Sequence, residues 1–396
     1  MEAFFKSFWQ VLGLLLFNKK ATYFIYSFFR VDSVNGIYLD KFTDPLIDYS
    51  SIKKDYVIFD RGNNGIHRKP RLHKEKIIYT DAINNIAFVW AIAFVRIFEI
   101  KNRKTLNSLW QAIDKSFPEI RYNKRTYSRT IYYLSTLTNV YSFIMRRMGV
   151  RYLIAPARHA FLPLIPAAKE NGIIVLELQH GITYGETITY SGFRDEYFTP
   201  DYFLSFGDMH PNDVYGIDTE HIVNIGWAFG KYFEKGNKEV GQARSNVLVI
   251  SDPNITDKII KVVLSLADAN PDINFYFRPH PLEILSIDQM KLIANRKNVD
   301  LDDNKQNILS TLMRFKYVIG ENSTVLYEAI SMGKNVGKIS MGGLKPIFLQ
   351  EEDREMFWDI SDNDTFKKFV SIPNNIQVHK TIYSNFDANT FEEVLS

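Results

Sequence analysis

Short apolar runs alternate with helix-length stretches along most of this 396-residue chain, in two successive series. The pattern predicts strands at Tyr56–Asp60, Lys76–Thr80, Arg151–Ala155, Ile173–Leu178, Tyr202–Phe206 and Ile222–Ile225. The second series predicts strands at Asn246–Ser251, Ile273–Phe277, Tyr317–Ile319 and Val336–Ile339. Helical periodicity lies between them, as in Arg158–Glu170, Ile255–Ala267 and Ser323–Met332. Strand–helix alternation of this kind predicts an α/β protein with parallel, doubly wound sheets.

The length exceeds what one core usually fills, so two domains are expected. The break falls at Gly230 to Ser245, GKYFEKGNKEVGQARS, which is polar and lacks an apolar period. The run NVLVIS follows at once and starts a new sheet. The domains are therefore read as 1–235 and 245–396. Whether the terminal stretch from Thr381 to Ser396 packs back on the first domain stays open at this level.

Charge separates the halves. Lys and Arg number 48 against 45 Asp and Glu, a net +3. That total excludes a uniformly basic nucleic-acid binder, and no nucleic-acid motif is present. Residues 1–150 hold 24 Lys and Arg against 12 Asp and Glu, a balance of +12; the remainder carries −9. Such asymmetry implies different partners for the two halves. Cysteine is absent, which excludes disulfides, thiolate nucleophiles and Cys-based zinc sites. In MEAFFKSFWQVLGLLLFNKK, Phe4, Phe5, Phe8, Trp9, Leu12, Leu15 and Leu16 recur at helical spacing. The charge-free part, between Lys6 and Lys19, is too short to span a bilayer. Glu2 and the lack of a small-residue cleavage site argue against a signal peptide. An interfacial helix on an anionic membrane and a helix docked on its own domain both fit. The second apolar run, Ile86 to Phe98, is broken by Arg96 and reads as a core helix.

In doubly wound sheets ligands bind beyond the carboxyl ends of the strands. Four clusters fall there. Arg278-Pro279-His280-Pro281 fixes a guanidinium and an imidazole on a rigid loop, which suits a phosphate. Gly320-Glu321-Asn322-Ser323-Thr324 opens a helix. The same geometry serves plain capping or an anion at the positive helix end. Glu328 lies one turn beyond Thr324 on the same face, where a carboxylate can accept both hydroxyls of a ribose. Glu177-Leu178-Gln179-His180-Gly181 ends a strand of the first domain. His180 is of the right type for a general base, and Gly181 permits close backbone approach. Tyr184 follows in a polar loop. Asp60 and Arg61, in Phe59-Asp60-Arg61-Gly62-Asn63-Asn64-Gly65, end another strand of the basic half. A tight turn is the simpler account there, with an acceptor contact and Asp60 as a rival base beside it. Asp300-Leu301-Asp302 has metal-motif spacing but lies in the polar run NVDLDDN, which reads as a solvated loop.

The order Gln-His-Gly, Arg-Pro-His-Pro, Asn-Ser-Thr-x-x-Tyr-Glu-Ala resembles bacterial glycosyltransferases of the GT-B fold that build capsule and O-antigen polysaccharides. The His-Pro segment is similar to that of bacterial sialyltransferases and CDP-glycerol glycerophosphotransferases. The acidic base motif of the sialyltransferases has no counterpart in the N-terminal half. The resemblance covers about residues 150–345. It implies two Rossmann-like domains facing a cleft, with the acceptor on the first and the nucleotide-sugar donor on the second. It implies donor contacts from Arg278, His280, Asn322, Ser323, Thr324 and Glu328, with His180 or Asp60 as base. Arg61, Gln179, Gly181 and Tyr184 are the implied acceptor contacts. No metal and no cofactor is implied. The donor is then a CMP-linked acidic sugar or a UDP-hexose, the acceptor a glycan or lipid-pyrophosphate, and the location cytoplasmic or peripheral on the membrane. The alternatives are a nucleotide-sugar 2-epimerase of the same fold and a non-catalytic glycan-binding relative.

Overall fold

The structure is a computed structural model describing residues 2–17, 19–28, 31–63, 65–181, 194–208, 216–234, 246–281, 283–348, 351–372 and 383–396. Helix α1 (Glu2–Leu16) precedes strand β1 (Tyr23–Ser27), a hairpin of β2 (Asp32–Val34) and β3 (Ile37–Leu39), and helix α2 (Thr43–Tyr49). Strands β4 (Tyr56–Asp60) and β5 (Ile77–Tyr79) lead to three long helices, α3 (Asp81–Lys101), α4 (Arg103–Ser116) and α5 (Lys124–Met148). Then come β6 (Tyr152–Pro156), α6 (Leu164–Lys169), β7 (Ile174–Leu178), β8 (Tyr202–Ser205), β9 (Ile222–Asn224) and α7 (Lys231–Glu234). The second half runs β10 (Asn246–Ile250), α8 (Thr256–Ala269), β11 (Asn274–Arg278), α9 (Ile287–Ala294), β12 (Val299–Leu301) and α10 (Ile308–Leu312). It ends with β13 (Tyr317–Gly320), α11 (Thr324–Ser331), β14 (Asn335–Ile339), β15 (Trp358–Ile360), α12 (Asn363–Ser371) and α13 (Ala388–Val394).

The first sheet has the order β5-β4-β1-β6-β7-β8-β9 and the second β12-β11-β10-β13-β14-β15. Every pairing within them is parallel. Strands β4 and β6 are buried along their whole length, as a parallel strand with helices on both faces requires. The winding reverses between β1 and β6 in one sheet and between β10 and β13 in the other. These reversals open a crevice at the carboxyl ends of both sheets.

The structure differs from the sequence expectation at several points. Strand β1 is central in its sheet, although its aromatic run YFIYS was not read as a strand. The expected helix 158–170 is a 3-10 turn, Arg158–Ala160, followed by α6, because Pro163 resets the backbone between them. The NVDLDDN run is not all loop, for Val299–Leu301 forms the edge strand β12. The Ile86–Phe98 run is not a core helix. Only Ala87, Ala91 and Val95 form a buried stripe, and most of the larger apolar residues of α3 are exposed.

The C-terminal segment returns to the first domain. Trp227 N–H donates to the Ser384 carbonyl at 2.9 Å and Asp387 N–H to the Ile225 carbonyl at 2.9 Å. The Tyr152 hydroxyl donates to the Leu395 carbonyl at 2.7 Å, and Ser51 N–H to Glu392 Oε1 at 2.8 Å. Gly226 makes this crossing feasible. Its φ is +74°, and a Cβ there would lie 2.2 Å from the Asn385 carbonyl oxygen. Residues 383–396 therefore pack with the first sheet rather than the second.

Candidate functional site

The first rim is built at the β1/β6 reversal. Phe28 follows β1, and Arg158 and His159 follow β6 through Ala157, which has a φ of +66°. His180 follows β7. The His180 ring lies 5.8 Å from Phe28 and 5.5 Å from His159, centroid to centroid. Burial pushes the His159 imidazole down, so it stays neutral beside His180. Two carboxylates near this rim are committed elsewhere. Glu177 is fully buried and accepts from Arg158 N–H at 2.7 Å and from Arg158 Nε at 2.8 Å. Burial still pushes its carboxyl up, against the pull of Arg158. Asp60 Oδ2 lies 2.6 Å from His67 Nδ1, and His67 Nε2 lies 2.8 Å from Asp81 Oδ2. Burial would lower the His67 imidazole, but the two flanking carboxylates outweigh it and hold it above its ordinary value.

Gln179, expected to contact an acceptor, has both ends of its amide bonded within the chain. Its Oε1 accepts from Phe206 N–H at 2.8 Å and its Nε2 donates to the Gly181 carbonyl at 2.9 Å. It ties β7 to the end of β8. A Cβ on Gly181 would meet nothing within 4 Å among the described residues. Arg61 is exposed and lines a small cavity with Ser27, Phe28 and Phe161 at the β1/β6 reversal. Tyr184 lies outside the described residues.

The second rim is built at the β10/β13 reversal. Gly320 ends β13 in close contact, because a Cβ there would lie 3.1 Å from the Ile250 carbonyl oxygen. Ser323 caps α11, and its hydroxyl accepts from Val325 N–H at 3.3 Å. Asn322 and Thr324 are exposed on either side. The positive end of the α11 dipole therefore opens on the crevice. His280 stands on the adjacent loop after β11. Its backbone N–H donates to Glu283 Oε2 at 2.8 Å, and Glu283 Oε1 accepts from the Ser251 hydroxyl at 3.0 Å. Glu283 thus pins the His280 loop to the end of β10.

Arg278, expected from the sequence to contact a phosphate, is bonded within its own half of the chain. Nη1 donates to Asp302 Oδ1 at 3.1 Å and to Thr311 Oγ1 at 2.8 Å, and Nη2 to the Gln306 carbonyl at 2.7 Å. Burial lowers the guanidinium from its ordinary value, while Asp302 opposes that shift. Asp302 of the metal-like triplet is therefore an ion-pair partner. Among the described residues no group of His, Cys, Asp and Glu is arranged to hold a metal.

Glu328 joins the rims. It lies inside α11 with only 4% of its surface exposed, and its Oε2 has no hydrogen-bond partner. Lys41 Nζ, from the loop before α2, approaches Oε1 to 3.9 Å. Burial pushes the Glu328 carboxyl up, Lys41 pulls it back and Asp32 adds to the rise. Lys41 also lies over the Phe42 ring at 5.4 Å, Phe42 packs edge-on to Phe28 at 5.6 Å, and Phe28 touches His180. An unbroken set of contacts therefore runs from His180 to Glu328 across the crevice. Asp40 holds its middle. It is fully buried and accepts from Phe28 N–H at 2.7 Å and Phe42 N–H at 2.9 Å. Burial and the neighbouring Asp44 push its carboxyl up to about 6. His159, Lys41, Asp40 and Glu283 were not singled out from the sequence. Position just after a strand marks His159, once β6 is known to flank the reversal.

Two solved structures superpose on nearly the whole chain. A UDP-GlcNAc 2-epimerase from Methanocaldococcus jannaschii does so with a TM-score of 0.53 at 11% identity, over 94% of this chain and 98% of that one. A glycosyltransferase from Rickettsia africae does so with a TM-score of 0.53 at 15% identity, over 96% and 97%. No family model and no curated protein matches the chain. The likeness establishes the fold, which is the two-domain GT-B arrangement expected from the sequence motifs.

Proposed function

We propose that this chain is a nucleotide-sugar enzyme that transfers the sugar to an acceptor hydroxyl in the crevice between its two sheets. The observation that carries the reading is Glu328. A buried carboxylate with an unpartnered oxygen, one turn inside a helix whose N-terminus opens on the same crevice, matches a ribose phosphate. The phosphate meets the positive end of α11, the Ser323 and Thr324 hydroxyls and His280. The two ribose hydroxyls donate to Glu328, which also repays the cost of burying that carboxylate alone.

With the nucleotide so held, the sugar extends toward Phe28 and His180. His180 takes the proton of the acceptor hydroxyl as that oxygen bonds to the anomeric carbon. The bond from that carbon to the phosphate oxygen breaks, and the nucleotide leaves with the electron pair. The positive end of α11 stabilises the charge on the departing phosphate. Arg61 and Gly181 lie on the acceptor side. The expected Arg278 contact is replaced in this reading by the brace on the 302–307 loop.

A second reading is epimerisation of a nucleotide sugar at C2. It is favoured by the superposition on a 2-epimerase over almost its whole length. The two readings share the nucleotide site and differ in the need for an acceptor. The test begins with thermal unfolding in CMP, UDP, GDP and CDP. A nucleotide at 100 times its Kd stabilises the fold by about 2.7 kcal/mol. The corresponding nucleotide sugars are then incubated with and without glycan acceptors. Release of nucleotide that depends on acceptor supports transfer. A new epimer without acceptor selects the second reading, and no thermal shift with any nucleotide rejects both.

A further inference from the structure

We propose that α1 and α3 together form a surface that docks flat on an anionic lipid bilayer. The inference stands on the outer face of the first domain and does not depend on the sugar chemistry. Helix α3 is 21 residues long and carries no charge between residues 82 and 95. Against α5 it buries only the narrow stripe Ala87, Ala91 and Val95, while Phe88, Trp90 and Phe98 meet Tyr132 and Tyr133 of α5 along its margin. Val89, Trp90, Ile97 and Ile100 stand exposed, Ile100 at 75% and Val89 at 62%. Helix α1 packs beside α3 and adds Phe5 at 55% and Trp9 at 66%. Exposure of this many large apolar side chains on two adjacent helices marks an interaction face rather than ordinary surface scatter.

Charge identifies what covers it. From Arg96 to Arg129 nine Lys and Arg stand against three Asp and Glu, and Arg96, Lys101, Arg103 and Lys104 are exposed at the end of α3. An apolar face with tryptophans, flanked by cations, fits the headgroup level of an anionic bilayer. The length of α3 is also enough to span a membrane, but its start is fixed in the sheet domain. Asp81 Oδ2 lies 2.8 Å from His67 Nε2, and Ala82 N–H donates to the Ser7 hydroxyl at 2.9 Å. Spanning would break those bonds and expose the Ala–Val stripe, so the helix lies in the plane of the interface.

The experiment is co-sedimentation of the full chain with vesicles of phosphatidylcholine alone or with about one third phosphatidylglycerol, a mixture chosen to give strong surface charge. Binding is expected to the anionic vesicles, to weaken in high salt, and to bring tryptophan fluorescence under quenching by brominated acyl chains. Lys101→Glu, Arg103→Glu and Lys104→Glu should each lower partitioning by roughly fivefold or more. The Val89→Asp/Ile97→Asp variant should lose binding while its thermal midpoint and far-UV spectrum match the parent. The proposal is overturned if the parent stays in the supernatant with anionic vesicles, or if this variant still sediments. It is also overturned if the parent is a dimer in solution that the same variant turns into a monomer, because a second copy then covers the face.

Discussion

The two sheets share one winding scheme and end in different chemistry. Each reverses its strand order beside a central strand, β1 in one and β10 in the other, and each opens its crevice there. The first rim displays imidazoles. His180 and neutral His159 face each other, while the nearby carboxylates of Glu177 and Asp60 are held by Arg158 and His67. The second rim displays hydroxyls, the positive end of α11 and one buried carboxylate, Glu328. A backbone plan that places ligands at strand ends leaves the choice of chemistry to a few loop residues. In the proposed function one half accepts a proton and the other holds an anion and a diol.

Removing the base should have the largest effect. His180→Ala is expected to slow turnover of the correct donor and acceptor by about 10²–10⁴, with the Kd for nucleotide unchanged. Steady-state kinetics and calorimetry on the same preparation check this. A loss of nucleotide affinity that matches the loss of turnover would put His180 on the wrong rim and end the division of labour. The next effect concerns Arg278. Arg278→Ala leaves Asp302 and the Gln306 carbonyl without their partner, and breaking a buried ion pair of this kind costs about 3–5 kcal/mol of stability. The urea midpoint should fall, while nucleotide Kd at low temperature moves by less than about threefold, under 1 kcal/mol. An unchanged midpoint with a large loss of affinity would make Arg278 a phosphate contact after all.

Arg278 also shows where sequence reading stops. The strand-end position and the Arg-Pro-His-Pro rigidity were legible, since both are local. The partners of the guanidinium are 24 to 33 residues downstream and were not. Glu328 was legible as a helix residue one turn after Thr324, but its charged neighbour Lys41 comes from the other half of the chain and was not. The parallel sheets and the start of a second sheet at β10 follow from period and composition alone. Strand β1 escaped, although its run YFIYS is as apolar and aromatic as a buried parallel strand allows. Helix α3 escaped for a physical reason. Apolar periodicity tells which residues avoid water, not how much partner surface exists to cover them, and α5 leaves most of the larger apolar residues of α3 exposed.

The smallest effect carries the most information, because two of its measurable parts have opposite signs. The Glu328 carboxyl is raised in the folded chain, so the folded state binds its proton more tightly than the unfolded chain does. Stability therefore falls as pH rises above the ordinary carboxylate value, through the interval up to the folded one. Glu328→Gln removes the ionisable group and with it that loss, so the variant should unfold at a higher temperature than the parent at neutral pH. The gain should vanish in acid, where the parent carboxyl is protonated. Binding should move the other way. A ribonucleotide loses charge-assisted hydrogen bonds to the variant, and its affinity should drop about tenfold, or 1.4 kcal/mol. A 2′,3′-dideoxynucleotide has no hydroxyls to donate and should bind parent and variant alike. If the variant is stabilised but the ribonucleotide and the dideoxynucleotide lose affinity equally, Glu328 is a buried charge that no ribose meets. The second rim then holds the nucleotide through α11 alone.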